Sequence, residues 1–306
     1  MKKLCCLFCL CLVFIGCNND DPGDVLFSSD VVSVTGTRYS ASNNEYDPTY
    51  SGFINAVNQN ADSDIIAEVD HAANAIATGR VLNSTNTVFF TVPTYEAQIL
   101  AENPLAGLDL PGKMMFYQNE NSEVFAVYNS VPYVNSRYGL EASENLDEYA
   151  TLLKNLANAA TTGEVKFSAD AMVGLEEGII TAESTRSFEE TYNALRSAIS
   201  SDENLDIVAQ VDHQETAAAE NVEIPTSTLI LFSYPELEAQ LMQESQTVAL
   251  DLPQKILVWQ DEEEVVHVSY NDTDYLIQRH MLTGNSEELQ EIVQIFETLT
   301  AVATGD

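Results

Sequence analysis

Six kinds of side chain with chemistry to offer occur twice in this sequence at a fixed separation of 142 residues: Asp70 and Asp212, His71 and His213, Lys113 and Lys255, Tyr128 and Tyr270, Asn129 and Asn271, Arg137 and Arg279. An Asp beside a His is a pairing used to move protons, and a nearby Lys or Arg can hold an anion or a developing negative charge. The set suits either a hydrolase-type reaction or the binding of a small polar molecule. Each member also has a structural use. On a strand, Ile65, Ala67, Val69 and His71 share one face, as do Ile207, Ala209, Val211 and His213. The histidine therefore ends an apolar face, where a backbone hydrogen bond competes with a place at a pocket mouth. Asp70 and Asp212 fall on the opposite face and suit the capping of a following turn. Lys113 and Lys255 share a side with Tyr117 and Trp259, and a lysine stem over aromatics is ordinary packed surface. The alternative use of a retained lysine or arginine, in a chain where Lys and Arg total only 12, is to hold an anionic group.

No nucleophile elbow, zinc-helix motif, phosphate loop or dinucleotide fingerprint is present. His267 and His280 occur only in the second half and lack close ligand spacing. Neither a metal nor a cofactor is expected. Leu108-Asp109-Leu110-Pro111 and Leu250-Asp251-Leu252-Pro253 read as the approach to a strand, with Asp bonding turn amides and Pro placed where no ladder bond is needed.

The elements that must position these residues repeat with them. Thr49–Arg137 aligns without a gap on Thr191–Arg279, with 29 identities in 89 positions. An ungapped match of that length marks a duplication. In the second copy Ile179–Ser184 reads as a strand. Ser187 and Glu190 form a capping box before a helix carrying Phe188, Tyr192, Leu195 and Ile199. Strands follow at Asp206–Val211 and Ser227–Phe232, then a helix from Pro235, then strands at Lys255–Trp259 and Val265–Tyr270. Asn285 and Glu288 cap a last amphipathic helix. The order predicts an α+β fold of two similar domains, each a mainly antiparallel sheet with amphipathic helices packed on one face. The domains span 25–162 and 163–306, the first being more divergent. No long linker separates them, so they are expected to pack together as a pseudo-dimer.

The second copy resembles the domain-of-unknown-function-302 family. The features that carry the likeness are the helix Ser187–Ile199, Val211-Asp212-His213, Phe232-Ser233-Tyr234-Pro235, the run Ala249–Trp259, and Ser269-Tyr270-Asn271-Asp272 with Tyr275. The first copy departs from the pattern at Thr91-Val92-Pro93 and has Tyr138 where the second has His280. The resemblance implies helices against an antiparallel sheet and supplies no activity.

The start of the chain bears on location. Lys2 and Lys3 precede an apolar run, Leu4 to Ile15, too short to span a bilayer as a helix and suited to a signal peptide. It ends at Phe14-Ile15-Gly16-Cys17, which resembles a lipoprotein box, so residues 1–17 are expected to act as an export signal with Cys17 lipidated, as by palmitate. Residues 18–24 read as a tether. All five cysteines lie at or before residue 17, which leaves no thiol for chemistry or disulfides in the mature chain. A formal charge of -36 opposes nucleic acid and anionic headgroups. The expectation is a lipoprotein in the cell envelope, on the outer membrane. There it would be a non-enzymatic module binding a small molecule or an envelope protein. A hydrolase using the Asp-His pair and Lys, and a structural or assembly lipoprotein, are the alternatives.

Overall fold

The computed structural model describes residues 33–168, 172–283 and 286–305. The leader, Cys17, the 18–24 tether and the Asn285 cap lie outside those residues.

The first copy runs β1 (Thr37–Ala41), α1 (Tyr46–Gln59), β2 (Asp64–Asp70), α2 (His71–Ala77), β3 (Thr85–Thr91) and α3 (Pro93–Glu102). A tight 3-10 turn (Pro104–Leu108) leads to β4 (Gly112–Gln118), β5 (Val124–Asn129), α4 (Val131–Tyr138) and α5 (Glu144–Thr161). After the short strand β6 (Val165–Phe167), the second copy repeats the order: β7 (Ile179–Glu183), α6 (Phe188–Ser201), β8 (Asp206–Asp212), α7 (His213–Ala219), β9 (Ser227–Ser233) and α8 (Pro235–Glu244). Its 3-10 turn (Gln246–Leu250) precedes β10 (Gln254–Gln260), β11 (Val266–Asn271), α9 (Thr273–His280) and α10 (Ser286–Thr304). The sequence reading lacked the short helices α2, α4, α7 and α9 and the 3-10 turns.

Local chemistry explains the boundaries. The Ser187–Glu190 capping box opens α6 in both directions. Pro93 and Pro235 begin α3 and α8, where a missing amide hydrogen costs nothing. Gly139 ends α4 in the left-handed conformation. The Leu110-Pro111 and Leu252-Pro253 bonds are both cis.

Strands pair antiparallel in two sheets, in the orders β2-β3-β4-β5-β1-β6 and β7-β11-β10-β9-β8. Val165–Phe167 lies on the second copy's side of the sequence boundary yet adds the sixth strand to the first copy's sheet. One face of each sheet packs on its own long helices. Phe53 and Val57 of α1 and Leu153 and Leu156 of α5 meet Val88, Phe90 and Phe116. Leu195 and Ile199 of α6 and Ile292 and Phe296 of α10 meet Ile230, Phe232 and Val258.

The opposite faces are covered as well, by the other copy. The first copy's 3-10 turn lies on β9, β10 and β11, and the second copy's lies on β3 and β4. Helix α3 packs on α7, and α2 on α8. Leu229, Leu231 and Leu257 thereby join the first copy's core, while Met115, Phe125 and Val127 join the second's. This reciprocity is that of an isologous dimer built within one chain. It explains why Leu229–Phe232 is apolar on both faces, unlike a strand with one wet side.

Candidate functional site

The buried seam between the copies holds charged side chains. Asp109 and Asp251 follow the two 3-10 turns, at the positions that close them. Lys113 and Lys255 stand on β4 and β10, on the face turned to the other copy. Arg137 and Arg279 stand near the ends of α4 and α9. All six are buried.

Their contacts cross the seam reciprocally. Lys113 Nζ donates to Asp251 Oδ1 at 2.9 Å, and Lys255 Nζ donates to Asp109 Oδ1 at 3.0 Å. Each arginine binds the aspartate of its own copy: Arg137 Nη1 to Asp109 Oδ2 and Arg279 Nη1 to Asp251 Oδ2, both at 2.6 Å. Its other nitrogens reach across. Arg137 Nη2 donates to Asn271 Oδ1 at 2.9 Å, and Arg279 Nη2 donates to Asn129 Oδ1 at 2.6 Å. Arg137 Nε binds the carbonyl of Glu177, and Arg279 Nε that of Thr35. Tyr138 completes the shell of Asp109 at 2.9 Å, and His280 Nε2 that of Asp251 at 2.8 Å. An ionised carboxylate only accepts, so His280 carries its proton on Nε2.

The electrostatics follow from this packing. Burial alone would raise the carboxyl of Asp109, but Lys255, Arg137 and Lys113 together hold it well below the usual carboxylate range. Asp251 is likewise held far down by Arg279 and Lys113 against the effect of burial. Burial pushes the Lys255 ammonium down to about 7, and Asp109 opposes that fall. Four basic side chains face two carboxylates, a local excess of positive charge inside a chain of formal charge -36.

Tyr133 and Tyr275 meet at the centre of the pseudosymmetry, with their hydroxyls 3.1 Å apart. A side chain at Gly36 would collide with the Tyr133 ring, and one at Gly178 with the Tyr275 ring. Both glycines also have positive φ, so the position demands glycine twice over.

The remaining sequence candidates do not join this network. Asp70 and Asp212 are exposed N-caps: Asp70 Oδ1 accepts from the Ala73 amide at 2.8 Å and Asp212 Oδ1 from that of Glu215 at 3.0 Å. His71 and His213 are fully buried, so the Asp-His pair does not open together on a pocket. Burial lowers His71 to about 3 and His213 to about 4. His213 Nε2 donates to the Gly107 carbonyl across the seam at 3.0 Å. The matching carbonyl, that of Ala249, takes the Thr87 hydroxyl instead, and neither nitrogen of His71 has a hydrogen-bond partner. Tyr128 and Tyr270 face their own helices, Tyr270 stacking on Phe296 at 4.5 Å. Two expectations are corrected. The lysines are not packed surface, because the face they occupy lies under the other copy. Asp109 and Asp251 do more than shape a turn, because the neighbouring copy brings cations to them.

Sequence reasoning passed over Asp109, Asp251, Tyr133, Tyr275, Glu96 and Glu238 as site residues. All recur at the same 142-residue offset, so the signal was present. Glu96 and Glu238 are buried carboxyls raised by burial to about 7, held by the hydroxyls of Thr91 and Ser233. Among the described residues, no group of three or more His, Cys, Asp or Glu side chains is placed to hold a metal, and no helix is long and apolar enough to cross a membrane.

A family described as a domain of unknown function, DUF302, matches residues 39–160 and 180–300. The chain belongs to the DUF302 family. It carries the domain twice, as the fold does. Among curated proteins, the fluoride-specific ion channel FluC 1 of Brucella suis biovar 1 (strain 1330) is 32% identical over 133 residues, which are 43% of this chain and 52% of the relative. The fluoride-specific ion channel FluC 1 of Brucella abortus biovar 1 (strain 9-941) is also 32% identical over 133 residues, covering 43% of this chain and 49% of that one. The chain spans about half the length of these relatives. A solved structure, an uncharacterised conserved DUF302 protein from Bacillus stearothermophilus, matches with 18% identity and a TM-score of 0.34, covering 42% of this chain and 97% of its own.

Proposed function

We propose that this tandem DUF302 chain is a non-enzymatic, lipid-anchored module of the cell envelope. One observation carries the non-enzymatic part: the polar residues that the copies share spend their bonds on one another across the seam. A catalytic constellation keeps groups pointed at a substrate, whereas here the aspartates, lysines and arginines weld two folding units. The outer surfaces are left to meet a partner. The apolar leader ending at Cys17 supports the anchoring. Fractionation of cells tests it: the wild-type chain is expected in the membrane fraction with an acylated residue 17, and Cys17→Ser in the soluble fraction. A wild-type chain found soluble, with residue 17 unmodified, would remove the anchor from the account.

A second reading is favoured by the Brucella relatives, whose name states fluoride specificity. On that reading the tandem domain serves fluoride handling in the envelope without forming a pore. Cells lacking the chain would then grow less well in fluoride, and equal growth with and without it would dismiss this reading.

A further inference from the structure

We infer that a small internal cavity in the first copy is a binding site for one water-sized monovalent anion, with fluoride the halide that fits. The cavity measures about 20 Å³, and Asp109, Lys113, Asn129, Val134, Tyr149 and Leu153 are among its walls. Every lining residue is buried. A space of this size holds about one water molecule. Fluoride is the common halide no larger than that.

Three features make an anion the better occupant than water. First, Lys113 stands in the wall and belongs to a cluster with more cations than carboxylates. A buried excess of charge is costly unless paired. Second, Asn129 is 8% exposed and its Nδ2 has no hydrogen-bond partner, while its Oδ1 is taken by Arg279. The amide therefore has donor capacity left and no use for another donor. Third, Asp109, the one acidic wall residue, already receives Arg137, Tyr138 and Lys255. Its charge is spent. Leu110, Val131, Val134 and Leu153 close the rest of the wall and keep the dielectric low, which strengthens the pull of Lys113 and the repulsion of Asp109 alike, so the net positive charge of the cluster decides for an anion. The ion's identity leans on the fluoride reading above, and the site itself leans only on this geometry.

The test uses the full chain in detergent, titrated at constant ionic strength with sodium fluoride, sodium chloride or sodium gluconate. Fluoride is expected to raise the unfolding temperature saturably and to give a bound fluorine-19 resonance. Chloride and gluconate are expected to do neither. Val134→Leu fills the cavity without touching the charges and is expected to weaken fluoride binding at least tenfold. Asn129→Asp, which keeps the oxygen that receives Arg279 and replaces the free amide donor with an acceptor, is the second variant should the first fail to fold, with the same expectation. Equal responses to the three salts, or no bound resonance, would mean water in the cavity and overturn the proposal. Binding undiminished in the folded variant would place the ion elsewhere and overturn it too. Neither result depends on whether cells need the chain to resist fluoride.

Discussion

Asp109 of the first copy lies 3.0 Å from Lys255 of the second, and Asp251 lies 2.9 Å from Lys113, so each copy neutralises the other's buried carboxylate. A copy standing alone would expose its apolar seam face to water, and its aspartate and lysine would lose those partners. Breaking such a pair from one side costs about 3–5 kcal/mol, because a charge stays behind unpaired. The two copies should therefore unfold together. Trp259, the single tryptophan, stands on the seam face of β10, packed against the first copy's core, and reports on the seam, while far-ultraviolet circular dichroism reports on both copies. Urea curves from the two probes are expected to coincide. Separate midpoints would mean that the seam contributes little.

The histidine contact is asymmetric, and that asymmetry can be tested. A Cβ on Gly107 would lie 2.8 Å from the His213 ring, so the ring and carbonyl can bond only because residue 107 is glycine. Gly107→Ala is expected to lose about 1–3 kcal/mol by crowding the packed seam and straining that bond. Ala249→Gly, at the matching position without a histidine bond, is expected to cost about 1 kcal/mol or less. Chemical denaturation of both variants decides the matter, and equal losses would count against the histidine contact.

Buried carboxyls set one side of the pH dependence. Burial raises Glu96 and Glu238 from 4.5 to about 7, against the hydrogen bonds from Thr91 and Ser233. Between these values the folded chain keeps protons that the unfolded chain has released. Their contribution thus falls as pH rises through the window and is fully lost above about 7. His71 and His213, lowered by burial from 6.5, oppose this, since the unfolded chain takes up protons as pH falls below 6.5. The double variant Glu96→Gln with Glu238→Gln isolates the carboxyls. It is expected to be more stable than wild type by a few kcal/mol near pH 8 and little changed near pH 4, each pKa unit being worth about 1.4 kcal/mol. The same difference at both pH values, read from unfolding temperatures, would contradict the assignment.

The architecture was legible where the pattern is local. The 142-residue offset exposed the duplication, Ser187 and Glu190 marked the start of α6, alternation located β8, and the acidic turn between two apolar runs located β10 and β11. The seam was not legible, for a physical reason. Lys113 alternates with Met115 and Tyr117 on one strand face, and the strand period names the face without naming what covers it. Nothing local to Lys113 points to Asp251, 138 residues away. Recurrence did flag the lysine, arginine and asparagine pairs, and these converge. It flagged Tyr128 and the Asp70 cap equally, and these do not, because folding needs preserve residues as firmly as a site does.

A double-mutant cycle on Asp109 and Lys255 tests the central claim most directly. Asp109→Asn and Lys255→Met are measured singly and together by urea denaturation of the full chain. A welded seam predicts that the double variant loses less than the two singles combined, by a coupling of about 1.5 kcal/mol or more, within the range for residues sharing one ion network. Losses that add to within about 0.5 kcal/mol would show two independent side chains and contradict the account.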